Sequence, residues 1–467
     1  MTRSWFAHGL AALACASLVA SAAHADAPVI PTDASTGVSA AAGVTLPPVP
    51  SPLSLEDALR FAREHHPELR IARASLGVAR ADSTFAGVHP FNPELEVQSV
   101  RGGESFGSSA EGSVEVGARQ EIDLWGKRGQ RRAVASARSR TAAAEVEARI
   151  QVIESAVRAQ FQRTLFLQQR LALLTEFAEL DRRVLASAEA RVRDGAITPL
   201  TGRLIELDFL GTESQRMRAR SDLRQSGYAL GSALGGAVPE TLRLSGTVAI
   251  DTLRLTGDDV VARALQNRRE GDLLRRSVEV RQGELRLAGL EGRPNLTIGF
   301  GVSREVTSFE GSGFSGDPSI VRGISGARDV DHLWRASVSV PIPLWQRNQG
   351  ARARATAEIQ VAQAEHGGFL SRIQLEAFAS AARFRDAAEL YRVFLDRTVR
   401  LRSDIALIRE AYMDGRISLD SYLAEKGRLV DTLTAQLEAA EAYWEARAAL
   451  ETAVGEDLDR LNQGGTR

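Results

Sequence analysis

Residues 121–130 read EIDLWGKRGQ and residues 341–350 read PIPLWQRNQG. Each closes an alternating stretch with Leu-Trp, passes a basic residue and a glycine, and enters a long run rich in Arg and Ala. Leu124 and Leu344 are 220 positions apart, and so are Trp125 and Trp345. The spacing persists downstream: RDGAIT at 193–198 falls on MDGRIS at 413–418, and ALGSALG at 229–235 falls on ALETAVG at 449–455, both at 220. Three anchors at one offset mark a duplicated unit. Upstream, NPELEV at 92–97 echoes RPNLTI at 293–298 at an offset of 201. The second copy therefore carries about 19 more residues between these anchors, most of them expected in a Gly- and Ser-rich loop at 306–331.

The 467 residues are 44% hydrophobic and 25% charged, a composition that folds. With 58 Lys and Arg against 59 Asp and Glu, the net charge of −1 gives no reason to expect nucleic acid as a partner. Arg3, the apolar run at 9–22 and the small-x-small triplet Ala23-His24-Ala25 read as a secretory signal peptide over residues 1–25. The single cysteine, Cys15, lies inside it, so cleavage after Ala25 leaves no cysteine for a disulfide or a metal. A rival reading lipidates Cys15, but Ala12 stands where that motif has Leu or Val. Beyond residue 25 no uncharged apolar run reaches the ~18 residues of a membrane helix, so membrane contact falls to strands or to the surface.

Residues 26–53 hold six prolines among Ala, Ser and Gly and read as an extended tail. Ser54, with Asp57 three residues on, starts a short helical segment that Pro67 must kink or divide. Between Asn92 and Leu124 the period changes to two: Leu95 and Val97 share a face, then Val114, Val116, Ala118, Ile122 and Leu124. The second copy alternates more cleanly. Leu296, Ile298, Phe300 and Val302 oppose Thr297, Gly299, Gly301 and Ser303, and Trp334, Ala336, Val338, Val340 and Ile342 oppose Arg335, Ser337 and Ser339. These are two hairpins of bilayer-length strands with small polar residues on one side. From Gln130 to Asp194 there is neither Gly nor Pro, which predicts one helix of roughly 100 Å. Its twin runs from about Ala351 to Asp414, interrupted at Gly367-Gly368. Each ends at Asp-Gly-x-Ile-Thr/Ser, where Gly stops one helix and Thr198 or Ser418 caps a returning one that ends near Gly235 or Gly455.

Four strands are too few to close a barrel, and an open edge in a bilayer leaves backbone groups unpaired. Several chains closing one barrel together would remove that difficulty. The tandem halves, the signal peptide, the Gly-x-Ile-Thr/Ser turns and the Ala-Leu-x-x-Ala-Leu/Val-Gly endings resemble the outer-membrane efflux protein (TolC-like) family over about residues 53–455. Within it, LWGKRGQRRAVASA and VSVPIPLWQRNQGARARATAE resemble the heavy-metal branch, of cobalt-zinc-cadmium type. The resemblance implies a mainly α chain with a pair of β hairpins. Three copies of it form a long-helix α-barrel and one 12-stranded transmembrane β-barrel.

It further implies a homotrimer in the outer membrane of a Gram-negative bacterium, extending into the periplasm and contacting lipid. There it is the exit duct for an inner-membrane RND pump, joined through a periplasmic adaptor (membrane fusion protein). The branch implies heavy-metal cations as cargo, with a drug or small-organic duct as the alternative. From a different class, a periplasmic coiled-coil scaffold has no use for four bilayer-length strands. The corresponding division is a signal peptide (1–25), a tail (26–53), a first repeat (54–235), a connector (236–256), a second repeat (257–455) and a C-terminal tail (456–467).

Asp194, Gly195 and Thr198, with Asp414, Gly415 and Ser418, are the expected adaptor-docking tips. Tyr412, three before Gly415, matches a family tyrosine at the closed periplasmic aperture. The family carboxylate six after this glycine is Ser421 here, which leaves Asp420 and Glu425 as the nearby acids. Trp125 and Trp345 follow the final strands, at the expected membrane interface. Lys127, Arg128 and Arg347 are expected to cap the strand-to-helix junction or to contact anionic headgroups, with a structural ion pair as the favoured role. The histidines at 65, 66, 89, 332 and 366 show no repeated ligand spacing, and no nucleophile–base set, P-loop or dinucleotide fingerprint occurs, so neither an enzyme nor a cofactor or metal site is expected.

Overall fold

A computed structural model describes residues 46–100, 104–105, 108–239, 242–246, 256–309, 327–395 and 398–458. The signal segment, Cys15 and most of the N-terminal tail lie outside them. The first repeat contains α1 (Leu55–His65), α2 (Pro67–Phe85), β1 (Glu94–Val100), β2 (Glu104–Ser105), β3 (Ser108–Ile122), α3 (Lys127–Arg193) and α4 (Pro199–Leu234). The second contains α5 (Gly257–Asn267), α6 (Arg269–Glu291), β4 (Leu296–Phe309), β5 (Ala327–Ser339), α7 (Gln349–Leu395), α8 (Thr398–Met413) and α9 (Leu419–Val454).

Helix α3 is 67 residues long, about 100 Å at 1.5 Å per residue. Ser54 caps α1 by accepting from the Asp57 amide, and Pro67 opens α2 after His66, as its missing N–H requires. In each repeat a short helix packs against the middle of the long hairpin. In the first, Ala58 and Ala62 of α1 pack with Val157, Phe161 and Leu165 of α3 and Leu230 and Leu234 of α4. In the second, Val260 and Ala264 of α5 pack with Ile373, Ala377 and Phe384 of α7 and Tyr443 and Leu450 of α9. A third cluster joins the repeats, with Leu433 of α9 set among Leu173, Leu174 and Phe177 of α3.

The two hairpins form one antiparallel sheet in the order β1-β3-β4-β5, with β2 pairing β3. Its β3–β4 register runs from Ile122↔Leu296 to Ser109↔Ser308, with a shift between Ala110 and Gly112. Within this chain β1 and β5 are the outer strands. One face carries the rows Leu95, Ala118, Phe300, Ala336 and Val97, Val116, Val302, Trp334. Arg304 paired with His332 ends this apolar band at its far side. The opposite face carries ion pairs from Arg119 to Glu96 at 2.5 Å and from Arg335 to Glu115 at 2.8 Å. The glycines leave room for this face's side chains: a Cβ on Gly301 would stand 3.2 Å from the Glu115 carboxylate and one on Gly299 would meet Ser337 Oγ, so those side chains would have to turn aside.

Four expectations change. The strands of the second hairpin continue to Phe309 and resume at Ala327, inside the stretch read as loop, because Val306 and Val330 prolong the pairing. Gly367-Gly368 does not interrupt α7, since Phe369 beside it is buried in the core and holds the helix in place. The end of the N-terminal tail is not free: Pro48 bridges Ala237 and Leu53 bridges Leu244, burying Val49 and Leu53. The C-terminal tail begins packed, with Leu458 buried and Asp457 paired to Arg158 at 2.9 Å.

Candidate functional site: the paired turns and the strand–helix junction

Both hairpin turns have the same geometry. Gly195 and Gly415 adopt φ of +70° and +72°, the left-handed region in which glycine carries no Cβ penalty. The amides of Gly195 and Ala196 donate to Val192 and Arg191 carbonyls, and those of Gly415 and Arg416 donate to Tyr412 and Ala411 in the same pattern. Thr198 and Ser418 then start α4 and α9 by accepting from the Thr201 and Ser421 amides, both at 3.2 Å. Asp194 and Asp414 are exposed, and Asp414 pairs with Arg416.

The two turns pack together at one end of the helices. Val184, Ala188 and Ile205 of the first repeat cluster with Tyr412 and Tyr422 of the second. The two tyrosine rings stack at 4.8 Å and 25°. Tyr412 is therefore buried, whereas Asp420 and Glu425 are exposed, so the three expected aperture residues do not form one surface.

Above the stacked rings, Lys426 of α9 inserts its ammonium between two carboxylates of the first repeat. It donates to Asp181 of α3 at 2.7 Å and to Asp208 of α4 at 2.5 Å. Lys426 is 8% exposed and Asp181 4%. Burial pushes the Asp181 carboxyl above its ordinary value, opposed by Lys426 and by a hydrogen bond from Thr212. The Tyr422 phenol is held well above its usual range by burial and by the two nearby carboxylates. Both tyrosines stay protonated at neutral pH.

The sequence reading did not single out Tyr422, Asp181, Asp208 or Lys426. One signal was present: the chain holds 58 Lys and Arg, and Lys127 and Lys426 are its only lysines. Both are buried. Lys127 closes the strand-to-helix junction by donating to the Arg293 carbonyl and to Asn295 Oδ1, each at 2.6 Å. Asn295 in turn donates to Glu121 at 2.6 Å, tying the end of β3 to the start of β4. Trp125, at φ +66°, donates its indole N–H to the Pro294 carbonyl at 2.9 Å and lies under the Arg293 guanidinium. Arg128 and Arg347 donate to the carbonyls of Gly87 and Pro343. Trp345, by contrast, is 82% exposed.

Among the described residues no helix is long and apolar enough to cross a membrane, and no three His, Cys, Asp or Glu gather as a metal site. A mainly helical chain of two long hairpins carrying one small sheet is the fold of outer-membrane efflux channels. The Campylobacter jejuni CmeC outer membrane channel superposes with a TM-score of 0.65 at 14% identity, over 88% of this chain and 88% of that one. The crystal structures of CusC give 0.64 at 16%, covering 86% of this chain and 92% of theirs. Residues 58–236 match the family model described as Outer membrane efflux protein, so the resemblance drawn from the repeat and its turns holds, and with it the outer-membrane location. The cobalt-zinc-cadmium resistance protein CzcC of Cupriavidus metallidurans is 26% identical over 322 residues, 68% of this chain and 69% of that protein. This family and these structures are channels, not enzymes.

Proposed function

We propose that three copies of this chain form the outer-membrane exit duct of a tripartite efflux system that exports heavy-metal cations. The observation that carries this reading is the sheet. Its four long strands present one apolar face, and among the described residues the outer edges of β1 and β5 have no partner strand. In a bilayer such edges must be paired, and three copies joined β5 to β1 would close a 12-stranded barrel. The helices then continue as a tunnel on a periplasmic length scale. An inner-membrane RND pump supplies the cargo, and a periplasmic adaptor meets the exposed turns around Asp194, Gly195, Thr198, Asp414, Gly415 and Ser418. Asp420 and Glu425 border the aperture, with Tyr412 packed behind them. Trp345 lies at the lipid boundary.

Heavy metal is the preferred cargo because of the name and identity of the CzcC relative. Two measurements test the reading. Outer-membrane fractions in detergent should give a trimer by native mass spectrometry; a monodisperse monomer, soluble without detergent, ends it. Deleting the gene should sensitise its host to cobalt, zinc or cadmium. Sensitisation to organic toxicants alone transfers the duct to that cargo.

A further inference from the structure

The apolar face of the sheet is neutral except at one level. Among the described residues its rows, from Ile122 beside Leu296 to Gly112, Val306 and Val330, carry no Asp or Glu, and their only titratable members are Arg304 of β4 and His332 of β5. These two stand opposite each other in register, which sets their Cβ atoms about 4.5 to 5.5 Å apart. Val114 of β3 flanks Arg304 on its other side. Both side chains are exposed. The arginines of the opposite face differ: Arg119 pairs with Glu96 and Arg335 with Glu115, whereas Arg304 has no counterion among the described residues.

Height along the sheet identifies what can supply the missing anion. Trp125 donates to the Pro294 carbonyl at the helix end of the sheet, and Arg304 lies ten residues further along the chain, toward the end of β4 that points away from the helices. At ~3.4 Å per residue that is about 34 Å of strand, and at a ~40° tilt about 26 Å along a barrel axis, against an apolar band of ~25 Å in outer-membrane barrels. Setting Trp125 at the periplasmic boundary of the hydrocarbon therefore brings Arg304 and His332 to the opposite boundary, where headgroups begin. A guanidinium beside an imidazole offers several N–H donors to one phosphate. Trp334, 73% exposed and two residues from His332 on the same face, adds an amphipathic ring of the kind favoured at headgroup level.

We propose that Arg304 and His332 form a binding site for the phosphate of a lipid headgroup in the outer leaflet. This rests on the membrane barrel of the proposed function. The acyl chains of such a lipid lie along Val302, Phe300 and Trp334, so one molecule satisfies both the cation and the apolar rows beneath it. In a trimer the site recurs three times at one height, and it fixes the depth at which the barrel sits.

The test uses the full-length protein in non-ionic detergent, titrated with lipid A, a bisphosphorylated glycolipid, and followed by native mass spectrometry. The parent should bind it about tenfold or more tightly than the same lipid stripped of its phosphates, the scale of one lost charge-assisted hydrogen bond. Arg304→Gln should show the same loss while keeping its trimer, and Arg304→Lys should retain most of the binding. Arg335→Gln, the same charge change on the opposite face, should bind as the parent does. Inorganic phosphate should not compete, because it lacks the acyl chains; competition by the free anion overturns the lipid assignment. Equal binding of the two lipids by the parent, a comparison that needs no variant to assemble, overturns the site and leaves the duct reading standing. So does parent-like binding by Arg304→Gln. Absence of any trimer in the parent protein overturns both.

Discussion

Lys426 holds one positive charge between carboxylates at 2.7 and 2.5 Å, and it joins helices 245 and 218 residues away. Buried charge of this kind does little for net stability when complete but costs a great deal when broken. Lys426→Ala should therefore destabilise the tip by about 3 kcal/mol in thermal or denaturant unfolding, while Lys426→Met with Asp181→Leu and Asp208→Leu should recover most of that loss. Equal damage by the single and the triple change would mean that volume, not charge, matters there. The pH dependence has a defined sign. Burial raises the Asp181 carboxyl, so the folded chain holds that proton more tightly than the unfolded chain does. The stability it contributes is present below the ordinary carboxylate value and is lost as pH rises through the raised one. The margin of the parent over Asp181→Asn, followed from about pH 4 to about pH 8, should narrow as pH rises. A margin that widens contradicts the burial assigned to Asp181.

At the scale of elements, the sheet and the turns make separate predictions. Phe300 lies in the apolar row with Leu95, Ala118 and Ala336, so Phe300→Arg should cost about 2 to 4 kcal/mol of barrel stability if that face meets lipid. Ser337→Arg, on the opposite face, should be tolerated far better; similar losses at both sites would deny the sheet a lipid-facing side. At the turns, a Cβ on Gly195 or Gly415 meets nothing within 4 Å, so Gly→Trp adds bulk without disturbing the core, although φ near +70° strains any side chain. Both Trp variants should block export and keep the oligomer. Asp194→Arg and Asp414→Arg, free of that strain, should reduce adaptor cross-linking, and unchanged yields from all four would exclude the turns as the docking surface. These turns were legible because Asp-Gly-x-Ile-Thr/Ser is a local signal: a left-handed stop followed by a cap. The alternating strands were equally plain in which residues share a face, although Leu124, Val340 and Ile342, read into them, lie past their ends at Ile122 and Ser339. Tyr422 and Lys426 were not, since one tyrosine and one lysine on a helix have no local signature and take their meaning from distant helices. The packed end of the N-terminal tail escaped for a related reason: isolated bridges such as Pro48↔Ala237 lack the periodicity that marks a strand.

For the whole molecule, duplication does more than double the length. Each chain supplies two hairpins of one design, and the surfaces that meet inside the chain have counterparts at the offset of 220 that carry different side chains. Tyr422, stacked on Tyr412 where the two repeats meet, has Gly202 as its counterpart at the offset of 220. The scarcity of lysine has a consequence for chemical footprinting. Apart from the α-amine, this protein offers an acylating reagent two amines, one donating at the strand–helix junction and one between carboxylates at the tip. A surface crowded with guanidinium groups is thus almost silent toward amine-selective labels. Any N-hydroxysuccinimide ester that reaches Lys426 reports that the tip has loosened, and peptide mapping of that one modification would time its opening without an introduced probe.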